Sequence, residues 1–357
     1  MLISHAHLDH YGLLRYINPA IPVYLSRGTR KILELSVLFK LTPDISATLY
    51  EFNMYNPFNI GGFRIMPFLM DHSAFDAAAF EISGGGRTVI YTGDFRGHGR
   101  KSACLDRFID KARKEADVLL TEGTMLGRLD EEVITEQGLE ELLVEKMRSS
   151  EGPVLFQASA QNIDRLVSFY RASVRSDKIF VVDLYTANVL YELRQLGNNR
   201  LPYPSMSFPN IKVFYPYRLT KKVFDDIGEE YARRFSPFQI SKAELREEQS
   251  KIVMAVRPSM KKDIDLAGLK NGLFIYSLWS GYRENDYQRD FEKTLEKQGF
   301  TLDSLHTSGH ASVADIRRVI LGLSPKQIVP IHTMSPEMLS EFSEKVVIGE
   351  DGVSFDV

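Results

Sequence analysis

The sequence predicts a mixed α/β fold whose middle region contains a mainly parallel sheet. Strand-like and helix-like segments alternate between residues 152 and 193, which is typical of a parallel sheet. A hairpin is predicted upstream, where residues 77–83 alternate, 84–86 are glycines and 87–91 form a β-branched run. The 357 residues, 44% hydrophobic and 25% charged, suffice for one large or two ordinary domains and exclude a disordered chain.

The remaining elements are predicted from the spacing of apolar residues. Short apolar runs predict strands over residues 117–121, 152–157 and 178–183. Helical spacing predicts helices over residues 136–147, 162–172, 184–193 and 286–297. Residues rich in Pro and Tyr predict loops over 201–210 and 215–220.

The sequence also narrows the cellular location. No run of about 18 or more uncharged apolar residues is present, so neither a membrane-spanning helix nor a membrane partner is expected. The first residues lack the pattern of a secretory signal. The single cysteine, Cys104, cannot form an internal disulfide, which favours a reducing compartment. We therefore expect a cytoplasmic protein, and a homo-oligomer is compatible with the sequence.

The net charge of −3 conceals an uneven distribution. Between residues 152 and 300 there are 23 Lys and Arg against 18 Asp and Glu, a net charge of +5, and 10 of the 16 tyrosines lie there. The other residues carry 21 against 29, a net charge of −8. A basic region with many tyrosines is typical of a surface that binds nucleic acid. Ordinary charge scatter, with the tyrosines in the core, is an equally good interpretation.

Three of the eight histidines lie in one short segment, Ser4-His5-Ala6-His7-Leu8-Asp9-His10. Alternate side chains of an extended chain point the same way, so His5 and His7 can bind one metal ion. If a helical turn follows, Asp9 and His10 face a second point nearby. Imidazole and carboxylate groups suit Zn²⁺ or a similar ion. The segment therefore predicts a metal site rather than an exposed polar loop.

Three later segments place further candidate ligands after apolar strands. They are Asp71-His72-Ser73, Thr92-Gly93-Asp94-Phe95 and Val329-Pro330-Ile331-His332. Alone, each is typical of a turn or a surface loop. Together they supply two imidazoles and a carboxylate that could bridge two ions, which a dinuclear centre needs in addition to the first motif.

The order of these motifs resembles the metallo-β-lactamase fold superfamily. The later part resembles its β-CASP subgroup, which includes ribonuclease J and the endonuclease subunit of the cleavage-and-polyadenylation machinery. Thr121-Glu122-Gly123-Thr124 resembles motif A of that subgroup. Ser308-Gly309-His310-Ala311-Ser312 resembles motif B, and Pro330-Ile331-His332 resembles motif C. The resemblance runs over essentially the whole chain. It implies an αββα sandwich with an inserted α/β domain of mainly parallel sheet.

The resemblance also implies residue roles. A first ion would be held by His5, His7 and His72, and a second by Asp9, His10 and His332. Asp94 would bridge two Zn²⁺ ions, for which Mn²⁺ or another divalent ion could substitute. Asp9 would act in catalysis together with Glu122 and His310, which would form a buried acid–imidazole pair. A substrate phosphate would be contacted at a strand-to-helix turn by Ser159, Gln161, Asn162 and Arg165. The alternative is that this turn is an ordinary helix N-cap.

The implied domains are the first part of a metallo-β-lactamase domain (residues 1–151), a β-CASP domain (152–300) and the second part of the first domain (301–357). Superfamily members normally place several strands ahead of the first histidine motif, whereas four residues precede His5 here. We therefore expect a metallo-β-lactamase domain without those N-terminal strands. Ribonuclease J carries a further C-terminal domain, but 25 residues follow His332. We therefore expect a short β-CASP protein.

The expected function is hydrolysis of phosphodiester bonds in nucleic acid by hydroxide that a dinuclear zinc centre activates. The expected substrate is RNA or another single-stranded nucleic acid. One alternative is a small-molecule metallo-hydrolase of the same fold, against which motif A, motif B and the insert argue. Another is a truncated chain of impaired activity. The complete set of ligands argues against that alternative, and the expected loss of strands argues for it.

Overall fold

The structure is a computed structural model that describes residues 1–128, 133–197, 200–350 and 352–354. The strands of that part are β1 (Val23–Ser26), β2 (Leu49–Phe52), β3 (Phe58–Ile60), β4 (Phe63–Leu69), β5 (Ala78–Gly84), β6 (Arg87–Tyr91), β7 (Val118–Glu122), β8 (Val154–Gln157), β9 (Ile179–Asp183), β10 (Ile211–Phe214), β11 (Ile252–Ala255), β12 (Leu273–Tyr276), β13 (Thr301–Ser304) and β14 (Gln327–Ile331). The α-helices are α1 (Leu8–Tyr11), α2 (Arg27–Leu38), α3 (Ala103–Lys111), α4 (Glu136–Ser149), α5 (Ile163–Arg175), α6 (Leu184–Gln195), α7 (Tyr217–Asp226), α8 (Glu229–Arg233), α9 (Lys242–Glu247), α10 (Lys261–Ala267), α11 (Asp286–Lys297) and α12 (Val313–Leu323).

The chain divides into two compact units. Unit 1 contains Met1–Glu34, Pro43–Ile134 and Ser308–Val357, and unit 2 contains Leu35–Thr42 and Thr135–Thr307. Helix α4 thus belongs to unit 2 by its contacts, whereas the sequence analysis placed it in the first domain. The domain boundaries proposed at residues 152 and 300 stay predictions.

Unit 1 is built on a six-stranded sheet with the order β14-β7-β6-β5-β4-β3. Alternate residues of its strands face opposite sides. On one side Phe68 and Ala79 join an apolar core with α3 and α12. On the other side Ile65 and Phe80 pack against Phe52 of a parallel two-stranded sheet, β1-β2. The six-stranded sheet is therefore covered by helices on one face and by the β1-β2 sheet on the other.

Strand direction determines where the functional side chains of unit 1 gather. β4 and β6 are both antiparallel to β5 and therefore run in the same direction. β7 is parallel to β6, and β14 is parallel to β7. The carboxyl ends of these four strands consequently meet at one edge of the sheet.

Unit 2 contains a six-stranded sheet in which every pairing is parallel, with the order β10-β9-β11-β8-β12-β13. Leu155 and Met254 face a core that includes α9, α10 and α11. On the opposite face Phe156 stacks on Phe169 of α5, with ring centroids 3.9 Å apart. Apolar burial on both faces explains why these strands are continuous hydrophobic runs in the sequence.

The structure confirms the α/β class, the hairpin of β5 and β6, and the parallel sheet in the middle region. The loop predicted over residues 215–220 is partly wrong, because α7 begins at Tyr217. Pro216 occupies its N-cap, where the missing proline N–H leaves no helical hydrogen bond unmade. In the described residues, no helix is both long and apolar enough to cross a membrane.

Candidate metal centre

The predicted ligands come together at the carboxyl edge of the unit 1 sheet. His72 follows β4, Asp94 follows β6 and His332 follows β14. The first motif reaches the same edge because the Ser4 carbonyl accepts a hydrogen bond from the N–H of Ala78, the first residue of β5. Helix α1 then turns Asp9 and His10 toward the group.

The buried carboxylate of Asp94 lies at the centre of the cluster. Its Oδ2 atom is 3.2 Å from Nε2 of His10, 3.6 Å from Nε2 of His5 and 4.0 Å from Nε2 of His72. His310 and His332 approach the same carboxylate to 3.6 Å and 3.9 Å. Five imidazoles therefore surround one carboxylate, in the position that the sequence predicted for a bridging ligand.

The first set of potential ligand atoms belongs to His5, His7, His72 and Asp94, which lie within 4.8 Å of one another. Nε2 of His72 is 3.1 Å from Nδ1 of His7. Two nitrogen ligands of one tetrahedral zinc ion, each at 2.0–2.1 Å, are about 3.3 Å apart. The spacing suits a single cation between the two rings.

The second set consists of Asp9, His10 and His332. Oδ2 of Asp9 lies 3.1 Å from Nε2 of His332 and 3.7 Å from Nε2 of His10. A third combination, Asp94 and His332 with Glu122 and His310, also meets the distance criterion for a metal site. Glu122 is less suited to bind a metal, because its carboxylate already accepts hydrogen bonds from the N–H groups of Phe95 and Ala311 and contacts His310.

Buried polar atoms without hydrogen bonds show that the cluster fits a cation. Within the described residues, Nε2 of His5, Nε2 of His10 and Oδ2 of Asp94 are inaccessible to solvent and lack a hydrogen-bond partner. Such atoms are costly in a folded protein unless something satisfies them. Nε2 of His5 and Nε2 of His10 both lie within 3.6 Å of Oδ2 of Asp94, so cations bound beside this carboxylate would satisfy all three atoms.

The protonation states also favour metal binding. Burial lowers the pKa of His7 to about 4 and holds the pKa values of His5 and His72 well below the ordinary histidine range. These three rings are therefore neutral at pH 7, with a lone pair free for a metal ion. Burial opposes ionisation of Asp94, but the nearby His10 and the other imidazoles still hold its pKa well below the usual value.

The second set behaves differently, because Asp9 and His332 stabilise each other as ions. The hydrogen bond that His332 donates to Asp9 raises the pKa of His332 to about 9, and the same bond holds the pKa of Asp9 below its usual range. At pH 7 and without metal, His332 therefore carries a proton that a metal ion would have to displace.

Glu122 and His310 form the predicted acid–imidazole pair. Nδ1 of His310 lies 3.1 Å from Oε2 of Glu122, whose side chain is completely buried. Burial tends to lower the pKa of His310, but the charges of Glu122 and Asp94 outweigh it and raise the pKa overall. The side chain of His310 is 23% exposed, so its ring can reach a bound molecule.

Three residues that orient the ligands received no role in the sequence analysis. The Ser4 hydroxyl lies 3.1 Å from Nδ1 of His5 and 3.3 Å from Nδ1 of His10. Nδ1 of His72 donates to the Gly309 carbonyl over 2.5 Å, and the Thr124 hydroxyl lies 2.7 Å from Nδ1 of His332. Such partners fix which ring nitrogen faces a metal. The sequence offered one indication of these orienting roles, which is that Ser4, Gly309 and Thr124 lie within the quoted motifs.

Backbone conformation at two positions also serves the site. Gly93 has φ of +57°, and a Cβ there would lie 2.8 Å from the Ala78 carbonyl oxygen, so only glycine fits before Asp94. His332 has φ of 52° although it is not glycine. A left-handed conformation of this kind costs energy and is concentrated at functional sites.

The four predicted phosphate contacts all lie in unit 2, where they have different environments. Ser159 and Gln161 line a cavity of about 390 Å³ at the carboxyl end of β8, together with Arg257. Asn162 is the N-cap of α5, because its side-chain oxygen accepts from the N–H of Arg165. Asn162 is therefore the ordinary helix N-cap that the sequence offered as the alternative to a phosphate contact.

Arg165 does not fit the phosphate-contact role that the sequence suggested. Its guanidinium is completely buried and lies 3.1 Å and 3.4 Å from the two carboxylate oxygens of Glu136. It also donates to the Ser277 hydroxyl and to the Thr307 carbonyl. Sequence spacing revealed the helix start but not that this side chain points into the interior.

Comparisons with known proteins agree with this geometry. Residues 1–143 match the model of the beta-lactamase superfamily domain, and residues 301–352 match the Zn-dependent metallo-hydrolase RNA specificity domain. The matched metallo-hydrolase domain and the cluster of histidines and aspartates together indicate a metal ion.

The chain is similar to two curated bacterial proteins. It is 24% identical over 346 residues to ribonuclease J of Sinorhizobium meliloti, covering 93% of this chain and 57% of that protein. It is 22% identical over 351 residues to ribonuclease J of Helicobacter pylori strain B128, covering 93% of this chain and 47% of that protein. The chain spans about half the length of these relatives.

A solved structure supports the fold. The crystal structure of a protein of unknown function from Enterococcus faecalis V583 matches with a TM-score of 0.77 at 22% identity, covering 99% of this chain and 79% of that one. At this identity the likeness shows the fold alone. The two matched domain models and the ribonuclease J relatives support placing the chain among the ribonuclease J-like β-CASP members of the metallo-β-lactamase superfamily.

Proposed function

We propose that the chain hydrolyses phosphodiester bonds of RNA with the help of two divalent metal ions, in the first place Zn²⁺. The observation that carries the proposal is the convergence of five imidazoles on the buried Asp94 carboxylate, with the Glu122–His310 pair beside it. His5, His7 and His72 would hold one ion, Asp9, His10 and His332 the other, and Asp94 both.

Such ions, when bound, act as Lewis acids toward phosphate oxygens and make water a stronger nucleophile at neutral pH. The chain contributes the arrangement around them. Ser4 and the Gly309 carbonyl fix the orientation of three imidazoles, so little rearrangement is needed on binding. Metal binding therefore needs few changes beyond displacement of the proton on His332.

His310 is the proposed general acid. The charges of Glu122 and Asp94 raise the pKa of His310 and so favour its protonated form, and Glu122 holds the ring in place through Nδ1. Nε2 is then the atom available to donate a proton to the leaving oxygen of the cleaved phosphodiester. A positioned acid of this kind typically contributes about 10²–10⁴ in rate.

Asp9 is proposed both as a ligand and as a proton acceptor. Its side chain is 59% exposed, unlike that of Asp94, so solvent and substrate can reach it. The hydrogen bond from His332 keeps it ionised at neutral pH, so it carries a free carboxylate oxygen. This accessibility supports a part for Asp9 in moving protons.

RNA is favoured over small molecules by the relatives. Both curated relatives are named ribonuclease J, and the model that matches residues 301–352 describes RNA specificity. Ser159 and Gln161 are the proposed substrate contacts in unit 2, because they line a cavity at the carboxyl end of β8. Arg257 also lines this cavity, but its guanidinium is paired with the Asp183 carboxylate. Arg165 is left out of this proposal because its guanidinium is buried.

The direct test is hydrolysis of an end-labelled RNA oligonucleotide by the zinc-loaded full chain, with the matching DNA, a thioester and a β-lactam as competing substrate classes. We expect RNA cleavage that chelation stops, and about two zinc ions per chain by inductively coupled plasma mass spectrometry. Hydrolysis of the thioester or lactam alone would replace the proposal with the small-molecule alternative. A chain that retains no metal would support impaired activity.

A further inference from the structure

A cavity of about 870 Å³ lies in unit 2. It is formed where α7, α10 and α11 begin or pass near the end of β11. We propose that this cavity is a binding site for single-stranded nucleic acid, distinct in its residues from the metal centre. The inference extends the proposed function, since an RNA hydrolase could use the site to hold part of its substrate.

Four cationic side chains contribute to the wall of the cavity. Arg218, Lys242, Lys261 and Lys262 line it. Lys242 is neutralised by Asp263 at 2.9 Å, and Lys261 by Asp290 at 2.8 Å. Arg218 and Lys262 are exposed and lie on two different helices. These two cations are the ones best placed to bind phosphate groups of a polyanion.

Two tyrosine rings stand beside these cations. Tyr217 is 68% exposed and Tyr287 is 56% exposed, and both line the cavity. Aromatic rings of this size gain free energy when they are buried. Two tyrosine rings that stay exposed in one cavity can therefore gain this energy by packing against a bound partner. Base stacking on aromatic rings next to a cationic groove is how proteins hold single strands without reading their sequence.

The position in the fold agrees with this ligand. Pro258, which lines this cavity, and Arg257, which lines the cavity of Ser159 and Gln161, both follow β11 in the chain. The carboxyl end of a strand in a parallel sheet is the usual place for ligands.

The aromatic rings decide between nucleic acid and an acidic peptide. A peptide of Asp or Glu would pair with Arg218 and Lys262 but would gain little from flat exposed rings. Asp265, which also lines the cavity, would repel either polyanion equally and does not discriminate. The combination of two free cations with two exposed rings therefore favours a chain that carries both phosphates and bases.

The test is fluorescence anisotropy of a labelled 12-nucleotide oligouridylate with the full chain in chelator, so that no hydrolysis occurs. We expect the Arg218→Gln/Lys262→Gln variant to bind more weakly and to lower the slope of log affinity against log salt by about 1.4, at about 0.7 per phosphate. Tyr217→Leu/Tyr287→Leu should weaken binding about tenfold or more, whereas Tyr217→Phe/Tyr287→Phe should retain it.

The control variant is Lys221→Gln/Lys293→Gln, which removes two exposed cations from α7 and α11 outside the cavity. The proposal is overturned if this control loses as much affinity and slope as Arg218→Gln/Lys262→Gln. It is also overturned if the leucine variant binds like the unchanged chain, or if oligoglutamate displaces the probe as well as unlabelled oligonucleotide does. Binding without hydrolysis would leave this site standing while the proposed activity fails, so the two results are separable.

Discussion

His310 and Glu122 are held 3.1 Å apart, Nδ1 to Oε2, although 188 residues separate them in the chain. Glu122 ends β7, and His310 precedes α12. The carboxylate is fixed by the N–H of Phe95 over 2.7 Å, so it cannot swing away from the imidazole. Glu122 therefore controls both the position and the charge of His310.

This relationship predicts the effect of Glu122→Gln. Removal of the carboxylate takes away the main influence that raises the pKa of His310, so burial lowers that pKa. If His310 acts as an acid, the alkaline limb of the kcat profile moves to lower pH, and kcat at pH 8 falls by about 10²-fold. His310→Ala should lose the same activity or more. Both variants should keep their zinc, and an unchanged alkaline limb would contradict the assignment.

Metal uptake should release a proton from His332. Its pKa of about 9 without metal means that the ring is protonated at pH 7.5, and a metal ligand must be neutral. His5, His7 and His72 are already neutral and should release none. Titration calorimetry in buffers of different ionisation enthalpy should give about one proton per chain for the second ion. In His332→Ala this buffer dependence should disappear, and its persistence would place the proton elsewhere.

The same groups predict how the stability of the metal-free chain depends on pH. The raised pKa of His332 contributes stability that is complete below about pH 6.5 and is lost as pH rises through about 9. The lowered pKa values of His5, His7 and His72 act in the opposite direction, since their contribution is present above about 6.5 and lost as pH falls toward about 4. Denaturant titrations in chelator should therefore find a maximum near pH 6.5. His332→Gln should flatten the alkaline side only.

Ser4 should matter for metal affinity although it binds no metal. Its hydroxyl lies within 3.3 Å of Nδ1 in both His5 and His10 and so orients two ligands at once. Loss of such a partner typically weakens metal binding by about 10–100-fold. Competition with a zinc-sensitive dye should show this for Ser4→Ala. Ser83→Ala, which removes a hydroxyl from the far end of β5, is the matched control and should bind zinc normally.

The sequence could predict the metal cluster because its signal is chemical and local. Histidine is scarce here, and the pattern from His5 to His10 places several rings within a few residues. Asp94 and His332 were accessible to prediction because each ends an apolar strand, and strands of one direction end at one edge. The helix at Tyr217 was missed because the Pro and Tyr content of residues 215–220 favours a loop, although a proline such as Pro216 is also typical of a helix start.

Partners distant in sequence were beyond such reasoning. Nothing near His72 in the chain indicates that Gly309 accepts its Nδ1 proton, because that contact exists only when β4 and the segment before α12 meet. The same limit applies to Arg165, for which a helix N-terminus suggested an exposed phosphate contact. The side chain instead points inward to Glu136, 29 residues earlier in the chain.

The corrected role of Arg165 leads to a prediction about stability. Arg165→Met removes one partner of the buried ion pair with Glu136, a change that typically costs about 3–5 kcal/mol. Arg165→Met/Glu136→Leu replaces both charges by apolar groups and should recover most of that loss, because the pair gains little over a well-packed apolar contact. Guanidinium titrations of the full chain measure both values. If Arg165 instead bound substrate, the single variant would keep its stability and raise KM, and the double variant would rescue nothing.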